Sequence, residues 1–221
     1  LANDGGMGMI DVNRDVTGVN GGGTDIEIDG GTVEIDVSAT IRGQTTDIEI
    51  VQNANDLMVV EGAVIANTGE LRITHNGGGG ASDLELIDVN LQASGSIDIT
   101  MGPGGGEIVY NGASSISAGA DLNFEGNRFD FVAGSIFATI VIVYSTAGGG
   151  LEIGTGEIDA TEFGILTANA DTVTFASAAG TGLTIDAAVT AASAADVTFV
   201  GATTLAIAAA GMVTGAGGAL T

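Results

Sequence analysis

Acid–base or nucleophilic chemistry needs a few side chains held in register, and this sequence supplies an uneven set of them. It carries 28 Asp and Glu, four basic residues and one histidine, His75. The basic residues are all Arg (Arg14, Arg42, Arg72 and Arg128), and neither Cys, Lys nor Trp occurs. Without cysteine there is no disulfide framework and no thiolate metal site. His75 stands beside the run Gly77 to Gly80, which reads as an exposed loop position rather than a catalytic base or pH switch. No Ser/His/Asp constellation can be assembled, and no G-x-S-x-G elbow occurs. Carboxylates are numerous enough for the paired acids of glycoside hydrolysis. Many of them, however, fall at outward strand positions or strand starts, where solvation accounts for them. Only Tyr110 and Tyr144 are left to stack on a sugar alongside seven Phe. The expectation is a non-catalytic chain with no assigned catalytic, cofactor-binding or metal-ligating residue.

Calcium is the one ion the acidic segments suggest. Asp11-Val12-Asn13-Arg14-Asp15 alternates oxygen ligands like the start of an EF-hand loop. Position six is Val16 instead of Gly and position twelve is Gly22 instead of Glu, so two requirements of that loop are missing. Gly21-Gly22-Gly23-Thr24-Asp25 and Gly78-Gly79-Gly80-Ala81-Ser82-Asp83 echo the glycine-rich calcium β-roll, but without its nine-residue period. No metal residue is assigned, and calcium association is expected to be diffuse.

Charge narrows the partners. A net charge of −24 disfavours nucleic acid, whose phosphates require Lys and Arg, and disfavours an anionic membrane surface. It favours solubility and mutual repulsion of free subunits. No basic segment followed by an apolar stretch marks a signal peptide. The apolar run Phe131 to Tyr144 is too short to span a bilayer, and the uncharged 25 residues from Val197 to Thr221 are too rich in Gly and Thr.

The elements that would position any site are set by a repeat. Eight times a usually polar residue is followed by an aliphatic one, a variable one and a second large apolar one. The copies are Asp25-Ile26-Glu27-Ile28, Asp47-Ile48-Glu49-Ile50, Glu70-Leu71-Arg72-Ile73, Ser96-Ile97-Asp98-Ile99, Asp121-Leu122-Asn123-Phe124, Gly150-Leu151-Glu152-Ile153, Thr172-Val173-Thr174-Phe175 and Asp196-Val197-Thr198-Phe199. From Ile26 to Val197 is 171 residues in seven steps of 22 to 29, roughly 24 each, a period typical of solenoids. Alternation of this kind is the strand period. The second and fourth positions form two inward apolar columns. The outward column between them is Glu27, Glu49, Arg72, Asp98, Asn123, Glu152, Thr174 and Thr198. Within it Glu49, Arg72 and Asp98 would stack as a ladder of alternating charge. Five of the eight leading residues are acidic, and stacked like charges destabilise. They are expected to splay into water.

Second strands follow at Val33-Glu34-Ile35, Leu57-Met58-Val59, Leu84-Glu85-Leu86, Ile108-Val109-Tyr110, Leu183-Thr184-Ile185 and Leu205-Ala206-Ile207. An apolar-x-Ala corner recurs at Val37-Ser38-Ala39, Leu91-Gln92-Ala93, Ile116-Ser117-Ala118, Ile158-Asp159-Ala160 and Val189-Thr190-Ala191. Two or three short strands per repeat, all winding the same way, predict an all-β, right-handed parallel β-helix of roughly eight coils. Its stacked coils would share a core no single coil could bury. A β-sandwich is the competing architecture, although it does not demand a constant phase.

The stretch Gly182-Leu183-Thr184-Ile185-Asp186-Ala187-Ala188-Val189-Thr190-Ala191-Ala192, followed by Asp196-Val197-Thr198-Phe199 and Leu205-Ala206-Ile207, resembles the repeats of filamentous-haemagglutinin-like and autotransporter-type bacterial surface proteins. The looser repeats from Asp25 onward fit the same style. The resemblance implies a secreted right-handed β-helix acting as an adhesin, surface fibre or coat component. Longer repeats and strong acidity depart from the pattern.

Residues 1–221 therefore read as one solenoid domain, with 1–24 an N-terminal cap or irregular first coil and 197–221 an uncharged end coil. Residues 1 to 110 hold 18 acids, residues 111 to 221 hold ten, and none lies beyond Asp196. A solenoid end normally needs a polar cap, so this end is expected to be covered by the next subunit, by a neighbouring surface or by further coils of a longer chain. The functional expectation is a structural subunit of an extracellular or cell-envelope assembly, with a homo-oligomer or filament as partner. A glycan-binding adhesin segment and a β-helix polysaccharide enzyme are the alternatives.

Overall fold

Alternating aliphatic and polar residues favour extended chain with one face buried, and repetition every two dozen residues lets each such strand lie on the last. The computed structural model, which describes residues 9–18, 24–44, 47–77, 83–102 and 106–221, shows this stacking as a β-solenoid of about eight turns of about 24 residues. Every pairing between named strands is parallel. The antiparallel sandwich is thereby excluded.

Three stacks of strands build the early coils. The first face pairs Thr24–Gly30, Asp47–Gln52, Leu71–His75, Ile97–Met101, Asp121–Gly126, the second half of Ser135–Ser145, Ala170–Ser177 and Asp196–Val200 in that order. The second face runs from Met9–Val12 through Thr32–Ile35 and the first parts of Met58–Ala66 and Leu84–Ala93 to Glu107–Asn111 and Arg128–Phe131. The third face runs from Val16–Gly18 through Thr40–Gly43 and the distal parts of those two long strands to Ser115–Ala118 and the start of Ser135–Ser145. The corner between the second and third faces needs left-handed backbone. Gly62 supplies it at φ 69°, and a Cβ there would lie 2.5 Å from the Ala39 carbonyl oxygen. One coil on, Asp88 adopts φ 51°, a region that short polar side chains tolerate. Its Oδ1 accepts the Ala113 N–H at 2.7 Å.

On the first face the inward columns are Ile26, Ile48, Leu71, Ile97, Leu122, Val141, Val173, Val197 and Ile28, Ile50, Ile73, Ile99, Phe124, Val143, Phe175, Phe199. All are buried except the half-buried Phe199. Burial of each such side chain contributes about 1.5–3 kcal/mol.

The sixth copy of the repeat, Gly150-Leu151-Glu152-Ile153, does not form the sixth rung. Val141 and Val143 occupy the rung between Leu122/Phe124 and Val173/Phe175. Leu151 and Ile153 instead pair with Leu183 and Ile185 on a later sheet. Ile140 and Ile142 accordingly replace Gly150 and Glu152 in the polar columns. The true spacing runs from 19 residues (122 to 141) to 32 (141 to 173).

The long step is explained by a helix, α1 (Ala160–Thr167). Ile158-Asp159-Ala160 is not a corner. Asp159 is the N-cap, accepting from Thr161 and Glu162 N–H at 2.7 and 2.9 Å, and the Glu162 carboxylate reaches back to the Asp159 N–H at 2.5 Å. This reciprocal capping box starts the helix. Phe163 enters the core and stacks on Phe175 at 5.2 Å, and Phe175 stacks on Phe199 at 5.7 Å.

Two other phases shift. Leu57 is exposed, and it is Met58 and Val60 that point inward, in line with Leu84 and Leu86. Val37-Ser38-Ala39 precedes the third-face strand, whose inward residue is Ile41, paired with Val64.

Candidate functional site

The helical coil breaks two of the three ladders. The second face stops at Arg128–Phe131 and the third at the start of Ser135–Ser145. On either side of α1 in the chain they are replaced by a four-stranded sheet (Ile158–Asp159, Leu151–Gly154, Leu183–Ile185, Leu205–Ile207) and, after it, a two-stranded one (Ala188–Thr190, Met212–Thr214). Only the first face runs through. At the break lies a crevice of about 460 Å³ whose acidic lining is Glu107, Asp130, Asp159 and Glu162.

Glu162, 8% exposed, is the key residue of this crevice. Its Oε1 accepts the Phe131 N–H at 2.8 Å, an amide at the free edge of the second-face ladder, and its Oε2 accepts the Asp159 N–H. Burial, reinforced by Asp159 and Asp130 and opposed by those two amide bonds, pushes its carboxyl up to about 7. Glu107 is also raised, first by burial and then by Asp130 and Asp83, against the pull of Arg128. Two acids of raised proton affinity in one crevice are what a general acid would need. Both oxygens of Glu162 are occupied by backbone amides, however, so its first task is to clasp the helix to the ladder edge.

The residues singled out from sequence fall elsewhere. His75 is not an exposed loop residue: it ends the strand Leu71–His75 and is fully buried. The Gly77 N–H donates to its Nδ1 at 3.0 Å, so Nε2 carries the proton and donates to the Asp56 carbonyl at 2.8 Å. Gln52, one rung below, donates to the same carbonyl at 2.6 Å and accepts the Val33 N–H at 2.8 Å. These two side chains close a turn of the coil. The corresponding buried positions in later coils, Ser145 and Ser177, also bond turn backbone. In the EF-hand-like segment, Asp11 and Asn13 are exposed, and Asp15 accepts the Thr40 N–H at 3.0 Å. Among the described residues no group of three or more Asp, Glu and His side chains is arranged to hold a metal ion. Gly21 to Gly23, Gly78 to Ser82 and the side chain of Asp25 lie outside the described residues.

The acids do not simply splay into water. A register shift at the start of Thr24–Gly30 sets Thr24, not Asp25, opposite Asp47. Arg72 lies between Glu49 and Asp98 in the outward column as expected. Its ion pairs are with Glu70, with Asp47 at 3.8 Å and with Asp98 at 3.8 Å. More generally, an Asp oxygen accepts a backbone N–H of the following coil. Asp15 takes Thr40, Asp47 takes Glu70 at 2.9 Å, Asp83 takes Glu107 at 2.9 Å, Asp88 takes Ala113 and Asp196 takes Ala219 at 2.7 Å. Each such seam satisfies an amide that the ladders leave unpaired.

The other unusual surface is the last coil. Leu205 is 49% exposed, Ile207 64% and Met212 57%, with Val200 and Leu220 beside them. Ile185, Phe199, Leu205, Ile207, Val213 and Leu220 line an apolar groove of about 270 Å³. Leu205–Ile207 and Met212–Thr214 are the outer strands of their sheets, with one pairing edge free. No charged residue follows Asp196. Among the described residues no helix is long and apolar enough to cross a membrane. Comparison with protein-family models, with curated proteins and with solved structures found no match to this chain.

Proposed function

We propose that the chain is a structural, non-catalytic subunit of an extracellular or cell-envelope assembly, a fibre, filament or surface layer, that associates through its last coil. The observation that carries this reading is the uncharged end, where large apolar side chains and free strand edges meet water together. Exposed apolar patches of this kind mark interaction surfaces, and free parallel edges are templates for pairing. The likeness of the repeats to filamentous-haemagglutinin-like and autotransporter-type surface proteins supports the location. Light scattering at micromolar concentration tests the association: particles larger than a monomer are expected, with Ile207→Lys returning them to monomers. A wild-type chain that stays monomeric would overturn it. An adhesin segment would instead bind glycans as a monomer.

The acid-lined crevice favours a second reading, an enzyme acting on polysaccharide. Release of reducing ends from a polysaccharide panel by the wild type, and its loss in Glu107→Gln, would establish that activity in place of the structural role.

A further inference from the structure

The helical coil leaves a gap in a ladder, and the gap is lined by backbone as well as by acids. Arg128–Phe131 has one strand partner, Glu107–Asn111, in the preceding coil. In a parallel ladder the N–H and C=O of one residue point to the same neighbour, and those of the next residue point the other way. The Val132 N–H donates back to the Tyr110 carbonyl at 3.0 Å, so Phe129 and Phe131 present their groups to the coil that follows. Glu162 takes the Phe131 N–H at 2.8 Å. Among the described residues nothing bonds the Phe129 N–H, or the carbonyls of Phe129 and Phe131, from that side. Across the crevice Ile158–Asp159 is likewise an outer strand, paired on one side only, with Leu151–Gly154. Its Asp159 N–H ends on the other oxygen of Glu162. One carboxylate thus bridges two strand edges where the ladder lacks a rung.

The walls of this opening carry one sign of charge. Glu107, Asp130 and Asp159 line it together with Glu162. Burial, Asp130 and Asp83 all hold the Glu107 carboxyl above its ordinary range, and only Arg128 opposes them. Negative charge here exceeds its local counter-charge, and the sequence holds no Lys. A sugar finds no aromatic platform: Phe129 and Phe131 are 3% and 0% exposed, and Trp is absent. A metal ion finds no converging set of three acids among the described residues. An extended chain carrying Lys or Arg matches both features, because main-chain bonds to a free edge give affinity and alternate side chains give specificity. The crevice volume of about 460 Å³ lies within the roughly 300–1,000 Å³ of ligand clefts.

We propose that the crevice binds an extended basic segment of a partner protein, which pairs with the free edge of Arg128–Phe131 as the missing rung and sets a Lys or Arg side chain among Glu107, Asp130 and Asp159. The site is separate from the last coil and holds whether or not that coil associates. Register sets the pattern of the segment. The residue passing Phe129 turns inward beside a buried ring and must be small, whereas its neighbours turn outward to the acids.

The probe is a fluorescently tagged peptide of alternating Lys and Ala, titrated with the full chain while anisotropy is read. A Glu-Ala peptide and a Lys-Ala peptide N-methylated along its backbone are the controls. The Lys-Ala peptide should bind and the Glu-Ala peptide should not. N-methylation should weaken binding about tenfold or more, since the ladder hydrogen bonds are lost. Asp130→Asn should weaken it about tenfold, whereas Asp11→Asn, exposed in the first described coil, should keep the wild-type affinity. Circular dichroism confirms that both variants keep the fold. Hydrogen exchange at the Phe129 N–H should slow in the complex. Binding that ignores N-methylation and leaves Phe129 exchange unchanged is general attraction to an acidic surface and overturns the proposal. Absence of binding overturns it as well. A neutral oligosaccharide that protects Phe129 where the peptide does not would give the crevice to sugar instead.

Discussion

The coils before α1 and those after it are made from the same repeat, yet they are held together differently. Before the helix three ladders run in register, and three of the coil-to-coil seams carry an Asp that accepts an amide from the next turn. After it only the first face is continuous, one such Asp remains, at Asp196, and the last coil exposes Leu205, Ile207 and Met212. The acids are therefore not a uniform solubilising coat. Several of them fasten one coil to the next, and none lies in the coil beyond Asp196.

The largest test of this contrast is in the core. Ile73 is fully buried on the first face, and Ile73→Ala should cost about 2–5 kcal/mol in urea unfolding. Ile207→Ala, at a mostly exposed position, should stay within about 0.5 kcal/mol. Equal costs at the two positions would erase the distinction between the regions.

Glu162 sharpens the boundary between them. An unfolded glutamate ionises near 4.5, whereas burial holds this one up to about 7. Between those values the folded state keeps a proton that the unfolded chain releases, so stability falls as pH rises through the window. Glu162→Gln should flatten that fall by about 2–3 kcal/mol, at about 1.4 kcal/mol per pKa unit. The contribution of Glu107, raised in the same direction, should remain. Unfolding of both proteins across pH 4.5 to 7.5 checks this, and parallel curves would refute the buried clasp.

Gln52→Ala strands the buried Val33 N–H and should cost about 1–3 kcal/mol. Faster amide exchange at Val33 would mark the loosened turn. Smallest is Asp83→Ala, which removes one seam bond to Glu107 and should cost about 0.5–1.5 kcal/mol, seen as a modest drop in urea midpoint.

Much of the solenoid was legible because Ile26 to Phe124 alternate cleanly with polar neighbours. The sixth rung was not, because Ile140 and Ile142 are apolar on the outward side and blur the alternation around Val141 and Val143. Leu151-Glu152-Ile153 then supplied the expected phrase in the wrong place. The helix was hidden because Ile158-Asp159-Ala160 fits a corner; Asp159 followed three residues later by Glu162 was the signal for a capping box. His75 could have been placed by counting from its strand: it follows Ile73 by two, as Gln52 follows Ile50. The Asp seams left no comparable trace, since their partners are backbone amides and carry no residue signature. The lack of charge in the last coil was legible in the sequence, but which of its apolar side chains are exposed depends on where the last strands lie.

The 32-residue step from Val141 to Val173 departs most from the average, yet first-face pairing passes through it without a slip. A single unbroken spine thus tolerates a detour at the other two corners, so the same rod can carry different ornaments there, or grafted peptides, while its spacing along the axis stays fixed.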